Sequence, residues 1–177
     1  MSIITITDEM KKRLQAFIDF CNEYKPRSIA TEISLYTDDV MEDGNLLYPW
    51  AGTADNVMGI IDKKTGKELI YLIDIKTGSA YKSHELQLTS YKILWDHIHG
   101  KELGKIDVLA GLYLTARGKY KLVKYKFKPA IWFNVYELFE YNLKDKRGNM
   151  PTVKPREKLP HVYKLKEDEG DKKDVSK

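Results

Sequence analysis

The apolar stretch over residues 69–75 constrains the fold of this chain more than any other feature. A nearly unbroken apolar run of this length is typical of a central strand that is buried on both faces of a sheet. Asp74 and Lys76 interrupt the apolar pattern at its end. Because alternate residues of a strand point to the same side, we expect these two charged side chains to emerge together from the sheet.

The sequence around this strand predicts an α/β protein with one sheet between helices. Helical spacing, strand-like alternation and turn residues predict, in chain order, a helix over 8–24, strands over 28–36, 46–61 and 69–75, a helix over 83–99, strands over 106–115 and 120–127, and a helix from Pro129. Thr7 or Asp8 is the expected N-cap of the first helix, and Ser83 is the expected N-cap of the second.

The composition limits the class of protein. At 177 residues with 42% hydrophobic content, the chain is long enough for one core, so we expect a single domain over residues 1–143. Charged residues and prolines dominate from residue 144, which is typical of a flexible tail over 144–177. The sequence has no apolar run long enough to span a membrane and no signal segment, so we expect a soluble intracellular protein with no membrane partner.

The cysteine count and the net charge set two further limits. The single cysteine, Cys21, excludes an internal disulfide and a multi-cysteine zinc or iron–sulfur site. It lies at helical spacing with Met10, Leu14, Phe17 and Ile18, which predicts that this apolar face packs against the rest of the protein. The formal net charge of +4 is compatible with a polyanionic partner and does not require one.

Acid-x-Lys triplets occur at five places in the chain, so the triplet alone identifies no site. They begin at Glu9, Glu23, Asp62, Asp74 and Asp171. Only the triplet of Asp74 lies at the end of a long apolar strand, and only it closely follows a strand-like stretch that reads Gly-Thr-Ala-Asp and ends at Asp55. The simpler alternative is a strand-end salt bridge between Asp74 and Lys76, with Asp55 as a turn residue.

Asp55 and Asp74 have the chemistry of a site for a hard divalent cation. Magnesium takes oxygen ligands, commonly one or two carboxylates with several waters retained. Two carboxylates that converge repel each other unless a cation lies between them. The backbone carbonyl of Ile75 is a candidate further ligand. Lys76 would orient or deprotonate water and stabilise negative charge at a reacting phosphate.

The helix that begins shortly after Lys76 carries Gln87 and Tyr91, which are four residues apart and therefore project from one face. The alternative for this pair is a solvent-facing glutamine and a core tyrosine. With the upstream residues in this order, the chain resembles the RecB-like branch of the PD-(D/E)XK nuclease superfamily, which includes phage exonucleases of the lambda type. The resemblance covers roughly residues 28–115.

In that family a strand Glu, a Gly-Thr-x-Asp strand, an Asp-x-Lys-Thr-Gly strand and a Gln-x-x-x-Tyr helix form one site. The corresponding residues here are Glu32, Asp55, Asp74 with Lys76, and Gln87 with Tyr91. Ala54 stands in place of the proline that names the superfamily, a common replacement among its members.

The resemblance implies a restriction-endonuclease-like core with a central mixed sheet, and a Mg²⁺ cofactor for which Mn²⁺ would substitute. It implies that Asp55 and Asp74 bind the metal and that Glu32 assists a metal or its water. Lys76 would position the nucleophile. The Gln-x-x-x-Tyr pair would hold the nucleic acid or orient the lysine.

We therefore expect a metal-dependent DNA nuclease, first of all an exonuclease that acts in recombination, repair or phage DNA processing in the cytoplasm of a bacterial or phage-infected cell. A structure-specific or restriction-type endonuclease is one alternative, because the same site serves many modes of cleavage. A non-catalytic DNA-binding or assembly module with a nuclease fold is another. DNA is the expected partner, while a helicase, recombinase or single-strand-binding partner and an oligomeric state are left open.

Further residues near the motifs are candidate DNA contacts. Thr77, Lys82 and His84 join Gln87 and Tyr91 as predicted nucleic-acid-binding residues. For His84, an ordinary exposed histidine is an equal alternative. Flanking aromatic and basic side chains would stack on unpaired bases or contact phosphates, with core packing or a solvated basic face as the alternatives: Tyr48, Trp50, Tyr81, Arg117, Lys119 and Lys121.

Overall fold

The computed structural model describes residues 6–37 and 50–146. Its elements are α1 (Asp8–Tyr24), β1 (Arg27–Thr37), β2 (Trp50–Ile61), β3 (Glu68–Lys76), α2 (Lys82–Ile98), β4 (Val108–Leu114), β5 (Tyr120–Tyr125) and α3 (Pro129–Lys146). The α/β class and the order of the predicted elements are confirmed. The first residues of the second predicted strand, 46–49, lie outside the described residues.

The boundary predicted at residue 143 falls inside α3, which continues to Lys146. The rest of the predicted tail lies outside the described residues. The chain divides within α3 into two compact units, one up to Phe133 and one from Asn134. The proposed division into domain and tail stays a prediction.

The five strands form one mixed open sheet in the order β1-β2-β3-β4-β5. Strand β3 is the central strand, as its apolar sequence predicted. Its pairing with β2 is antiparallel and its pairing with β4 is parallel. A parallel pair needs a crossover connection, and α2 supplies it between β3 and β4.

Two hydrophobic cores lie on the two sides of the sheet. Phe20 of α1 packs in a core with Ile73, while Trp95 of α2 packs in the other core with Leu72. Because consecutive strand residues point to opposite faces, β3 contributes alternate side chains to both cores. This explains why the run over residues 69–75 is apolar almost throughout.

Helix α1 begins as predicted at the cap Thr7, whose hydroxyl accepts a hydrogen bond from the backbone N–H of Met10 at 3.2 Å. The prediction of which face of α1 packs against the rest of the protein is only partly correct. Phe17 and Cys21 pack against the core, but Met10, Leu14 and Ile18 are 50%, 55% and 41% exposed. The helix contacts the core mainly through Ala16 and Phe20, so the adjacent stripe faces outward.

The predicted N-cap Ser83 of the second helix is wrong. Helix α2 begins at Lys82, and Tyr81 is its N-cap without a side-chain hydrogen bond. Ser83 is already helical, whereas an N-cap needs an extended backbone. No helix among residues 6–37 and 50–146 is long and apolar enough to cross a membrane.

Candidate active site

The carboxylate of Asp55 lies where the pairing of β2 with β3 ends. The last pair of this antiparallel register is Asn56 with Ile73, so Asp55 and Asp74 follow it on neighbouring strands. Beyond that pair, Asp55 Oδ2 accepts a hydrogen bond from the backbone N–H of Ile75 at 2.8 Å. The backbone of β3 thereby orients the Asp55 side chain, and Asp55 is not simply a turn residue.

Asp74 is a buried carboxylate, only 4% exposed. Burial raises the pKa of Asp74 above its ordinary value, because it penalises the charged form. The Lys76 ammonium opposes this rise, and the Asp55 carboxylate adds to it. The Asp55 carboxylate is therefore close enough to disfavour the charged form of Asp74.

Lys76 provides the counter-charge. Its Nζ lies 2.7 Å from Asp74 Oδ2, and the side chain is 26% exposed. The Lys76 ammonium is therefore the charged partner of this buried Asp74 oxygen. A carboxylate oxygen has two lone pairs, so with this one partner it retains a lone pair for another ligand.

Gln87 and Tyr91 extend this polar cluster from α2. Lys76 Nζ donates to Gln87 Oε1 at 3.3 Å, and Gln87 Nε2 donates to the Tyr91 hydroxyl at 3.1 Å. The expectation that both residues lie on one helical face is confirmed, and the face points toward the lysine. Gln87 is partly buried and does not simply face solvent, whereas Tyr91 packs against the core that contains Trp95, as its alternative expected.

A glycine explains how Tyr91 reaches this position. The ring lies over Gly52 of β2, where an added Cβ would be 2.3 Å from Tyr91 Cε1. Such a distance is far below van der Waals contact, so only glycine fits without displacing the ring. The Gly of the Gly-Thr-Ala-Asp stretch therefore accommodates the helix tyrosine, a role that the sequence pattern did not reveal.

Glu32 lies beside the two carboxylates in the strand register but is not gathered with them. Its neighbours Thr31 and Ile33 pair with Asn56 and Ala54, which places Glu32 across from Asp55. Glu32 is exposed and has a left-handed backbone with φ of 49°. Among the described residues, no three acidic, histidine or cysteine side chains converge on a common point.

The left-handed backbone of Glu32 departs from regular strand geometry. A residue other than glycine in this region is strained, and such strain often accompanies functional sites. The metal role expected for Glu32 stays a prediction.

Several of the other predicted DNA contacts are exposed side chains. Thr77 and Lys82 are exposed, and so are Arg117, Lys119 and Lys121 at the hairpin between β4 and β5. Trp50 packs against Trp132 and Phe133 with ring centroids 5.9 and 6.3 Å away, which supports the packing alternative for Trp50. Tyr48 lies outside the described residues.

Sequence reasoning missed Arg13 of α1. Its guanidinium donates to the backbone carbonyls of Thr77, at 3.0 Å, and of Leu114. Thr77 follows the end of β3, and Leu114 is the last residue of the parallel strand β4. Arg13 therefore connects the ends of these two strands next to Lys76. An arginine within an amphipathic helix carries no sequence signal for this role.

Sequence reasoning also missed two tyrosines that form a hydrogen-bonded row with His84. Its Nδ1 shares a hydrogen bond of 2.6 Å with the Tyr113 hydroxyl, which shares another of 2.5 Å with the Tyr125 hydroxyl. Tyr113 and Tyr125 read in the sequence as ordinary strand residues. His84 is partly buried, so the alternative of an ordinary exposed histidine is wrong.

No protein-family model matches this sequence, and no curated protein is significantly similar to it. The resemblance to RecB-like nucleases therefore stays an expectation that rests on the order of the motif residues in the sequence.

The donor set fits a hard divalent cation. Two adjacent carboxylates and a neighbouring backbone carbonyl are oxygen ligands, and magnesium needs only one or two carboxylates when waters complete its shell. The buried Asp74 carboxylate, which Lys76 Nζ contacts at one oxygen, has lone pairs left that such a cation would use. A cation would also offset the repulsion between Asp55 and Asp74.

Proposed function

We propose that this protein is a Mg²⁺- or Mn²⁺-dependent deoxyribonuclease with a restriction-endonuclease-like core of the RecB-like type. One observation carries the proposal: the buried Asp74 carboxylate lies next to Asp55 and contacts Lys76 at 2.7 Å. A strand-end salt bridge alone would not require the second carboxylate, which raises the electrostatic cost of the pair.

The placement of the motif residues supports this proposal. Asp55 lies on β2, Asp74 and Lys76 lie on β3, and Gln87 and Tyr91 lie on α2. This is the order that the resemblance implies. Contacts connect the last four residues through Asp74–Lys76, Lys76–Gln87 and Gln87–Tyr91. If the match of these residues to the motif were accidental, there would be no reason for them to contact one another in the folded protein.

Asp55 and Asp74, with the carbonyl of Ile75, would hold the metal ion. When bound, the ion lowers the pKa of a water ligand and neutralises charge that develops on the phosphate. The Ile75 N–H keeps the Asp55 carboxylate oriented through its 2.8 Å hydrogen bond. Preorganised ligands of this kind avoid reorganisation during the reaction.

Lys76 holds the attacking water and stabilises negative charge on the phosphate. Its ammonium is only partly exposed, which strengthens its electrostatic effect. Gln87 accepts a hydrogen bond from this ammonium, and Tyr91 accepts one from Gln87. The Gln-x-x-x-Tyr pair therefore acts in this proposal by holding the lysine in place. Hydrolysis proceeds by direct attack of water, with no covalent enzyme intermediate.

DNA is the proposed substrate, and removal of nucleotides from its ends is the proposed mode. The exposed basic side chains at the β4–β5 hairpin are available to contact backbone phosphates: Arg117, Lys119 and Lys121. The associated process would be recombination, repair or phage DNA processing, where a helicase, recombinase or single-strand-binding protein would be the partner.

The test is cleavage of end-labelled linear DNA and of covalently closed DNA with Mg²⁺, Mn²⁺ or EDTA. We expect metal-dependent degradation of the linear DNA only, and loss of this activity in Asp74→Asn. Asp19→Asn is the charge-matched control, because Asp19 is exposed on α1. Nicking of closed circles would mean that the protein is an endonuclease and not an exonuclease.

A protein that binds DNA but never cuts it with either metal would contradict the proposal. If Asp74→Asn also binds DNA as well as the wild type, the non-catalytic binding module is the correct function.

A further inference from the structure

A row of three hydrogen-bonded side chains lies beside the candidate active site. His84 Nδ1 contacts the Tyr113 hydroxyl at 2.6 Å, and the Tyr113 hydroxyl contacts that of Tyr125 at 2.5 Å. The three residues come from α2, β4 and β5. None of the residues of the nuclease motif takes part in these hydrogen bonds.

The strand register places Tyr113 next to the motif residues. In the parallel pairing of β3 with β4, Tyr113 is the partner of Lys76 and Gly111 is the partner of Asp74. The Tyr113 ring folds back over Gly111, where an added Cβ would be 2.7 Å from Tyr113 Cε2. Gly111 therefore leaves room for a tyrosine beside the buried carboxylate.

The electrostatics agree with this placement. Burial and the hydrogen bond with Tyr125 raise the pKa of Tyr113, and the Asp74 carboxylate adds to the rise. The phenol therefore stays neutral near the acidic pair, and it acts as a hydrogen-bonding group and not as a charge.

The contacts of His84 fix its ring. The imidazole is stacked on the Tyr113 ring at a centroid distance of 6.0 Å, and the Tyr81 ring meets it edge-on at 5.6 Å. Since Nδ1 contacts the Tyr113 hydroxyl, the ring presents Nε2 at its opposite edge. A hydrogen bond at one imidazole nitrogen fixes the orientation of the ring and influences which nitrogen carries the proton. This arrangement is common in functional histidines.

Tyr81 extends this group into solvent. Its side chain is 61% exposed, although it contacts the His84 ring. An exposed aromatic ring next to an oriented imidazole suits an unpaired nucleotide, because the base can stack on the ring while the imidazole binds its phosphate. A paired base inside a duplex presents no free face for such stacking.

We propose that Tyr113 and Tyr125 are positioning residues that hold His84 Nε2 toward a phosphate of an unpaired nucleotide beside the scissile bond, with Tyr81 stacking on its base. This inference rests on the proposed nuclease function for the location of the scissile bond. It specifies that the bound DNA is single-stranded where it contacts His84 and Tyr81.

The first test is binding of a short fluorescein-labelled oligo(dT) by anisotropy, with Ca²⁺ in place of Mg²⁺. We expect His84→Ala and Tyr113→Phe each to weaken binding by about tenfold, since each removes or misaligns a hydrogen bond to a charged phosphate. The double variant should bind no more weakly than His84→Ala, because Tyr113 acts through His84. Tyr120→Phe is the control, since its hydroxyl donates to the exposed Glu23 of α1 and its ring packs against the core that contains Phe20, away from His84.

Two further variants separate a role in binding from a role in folding. Gln at position 84 can place an amide near the Nε2 position, whereas Asn can reach only the Nδ1 position. We expect His84→Gln to recover most of the binding and His84→Asn to recover little. Thermal unfolding of each variant verifies that it is folded. Recovery of binding by His84→Asn alone, or additive effects of Tyr113→Phe and His84→Ala, would overturn the inference.

The inference and the proposed function can fail separately. If the wild type cleaves DNA and Tyr113→Phe changes neither KM nor oligo(dT) binding, the nuclease stands and the inference is wrong. If the wild type does not cleave, the binding series still decides the phosphate contact. Duplex DNA bound as tightly as oligo(dT) would overturn the specificity for an unpaired strand.

Discussion

Two Asp-x-Lys triplets lie at opposite ends of β3, and they have opposite environments. Asp62 precedes the strand in a turn, where its Oδ1 accepts hydrogen bonds from the backbone N–H groups of Lys64 and Thr65 and from the Thr65 hydroxyl. These donors lower the pKa of Asp62, whereas burial raises the pKa of Asp74. The same residue pattern therefore caps a turn at one end and forms a charged cluster at the other.

The lysines differ in the same way. Lys64 is exposed in the turn, and Lys76 is partly buried between Asp74 and Gln87. Local backbone donors satisfy the first acid within four residues of sequence. Beside the second acid lies Lys76 of its own triplet, but folding alone brings Asp55 of β2 next to the acid and Gln87 of α2 next to the lysine. A triplet becomes a candidate site when tertiary contacts, and not its own turn, supply its partners.

The largest expected difference is catalytic. We expect Lys76→Ala to lower the cleavage rate by about 10²–10³-fold, because it removes a preorganised charge from the reacting phosphate. Lys64→Ala should leave the rate unchanged. Single-turnover cleavage of end-labelled DNA measures both rates. Equal losses of cleavage rate in the two variants would mean that the two triplets at the ends of β3 do not differ in function.

Metal binding should distinguish the two acids next. A ligand at a hundredfold excess over its Kd stabilises the folded state by about 2.7 kcal/mol. We expect saturating Mg²⁺ to raise the thermal unfolding midpoint of the wild type and of Asp62→Asn, but not that of Asp74→Asn. Differential scanning calorimetry with Mg²⁺ and with EDTA provides the comparison. A metal response retained in Asp74→Asn would place the cation elsewhere.

Glycine substitutions offer a smaller and more local comparison. Gly52→Ala forces Tyr91 to move, and overpacking of this kind costs about 1–3 kcal/mol of unfolding free energy. Gly66→Ala, at φ of 69° with open space around it, costs about 1–2 kcal/mol through backbone strain alone. We expect only Gly52→Ala to slow cleavage as well, because Tyr91 contacts Gln87.

Urea unfolding and the cleavage assay measure the two effects for each glycine. If Gly66→Ala also slowed cleavage, the effect would follow from lost stability and not from the position of Tyr91.

The smallest predicted effect is on the pH dependence of stability in EDTA. The raised pKa of Asp74 means that its contribution is most favourable at low pH and is lost as pH rises through that pKa. The lowered pKa of Asp62 means that its contribution is present at neutral pH and is lost as pH falls. Solvent screening makes the second effect weaker, because Asp62 lies at the surface.

Unfolding free energies of wild type, Asp74→Asn and Asp62→Asn over the acid range measure these slopes. The wild type minus Asp74→Asn difference should fall with rising pH, and the wild type minus Asp62→Asn difference should rise. Slopes of the same sign would mean that the two acids share one environment.

Much of the fold could be predicted from local patterns. The apolar run of β3 indicated a central strand, and helical spacing placed Gln87 and Tyr91 on one face of α2. The convergence of Asp55 with Asp74 was also anticipated, because both belong to a motif whose order is visible in the chain. The exposed face of α1 and the start of α2 were not predictable, since neighbouring residues at similar spacing differ only in what they pack against.

The sequence by itself determined the order of the elements and the chemistry of Asp55, Asp74 and Lys76, because periodicity and residue type are local properties. Only the tertiary structure decided that Tyr113 lies over Gly111 and reaches His84. It also decided that Asp74 has a raised pKa while Asp62 has a lowered one. Burial and hydrogen-bond partners depend on strand register and crossover, which join residues distant in the chain and leave no periodic signal.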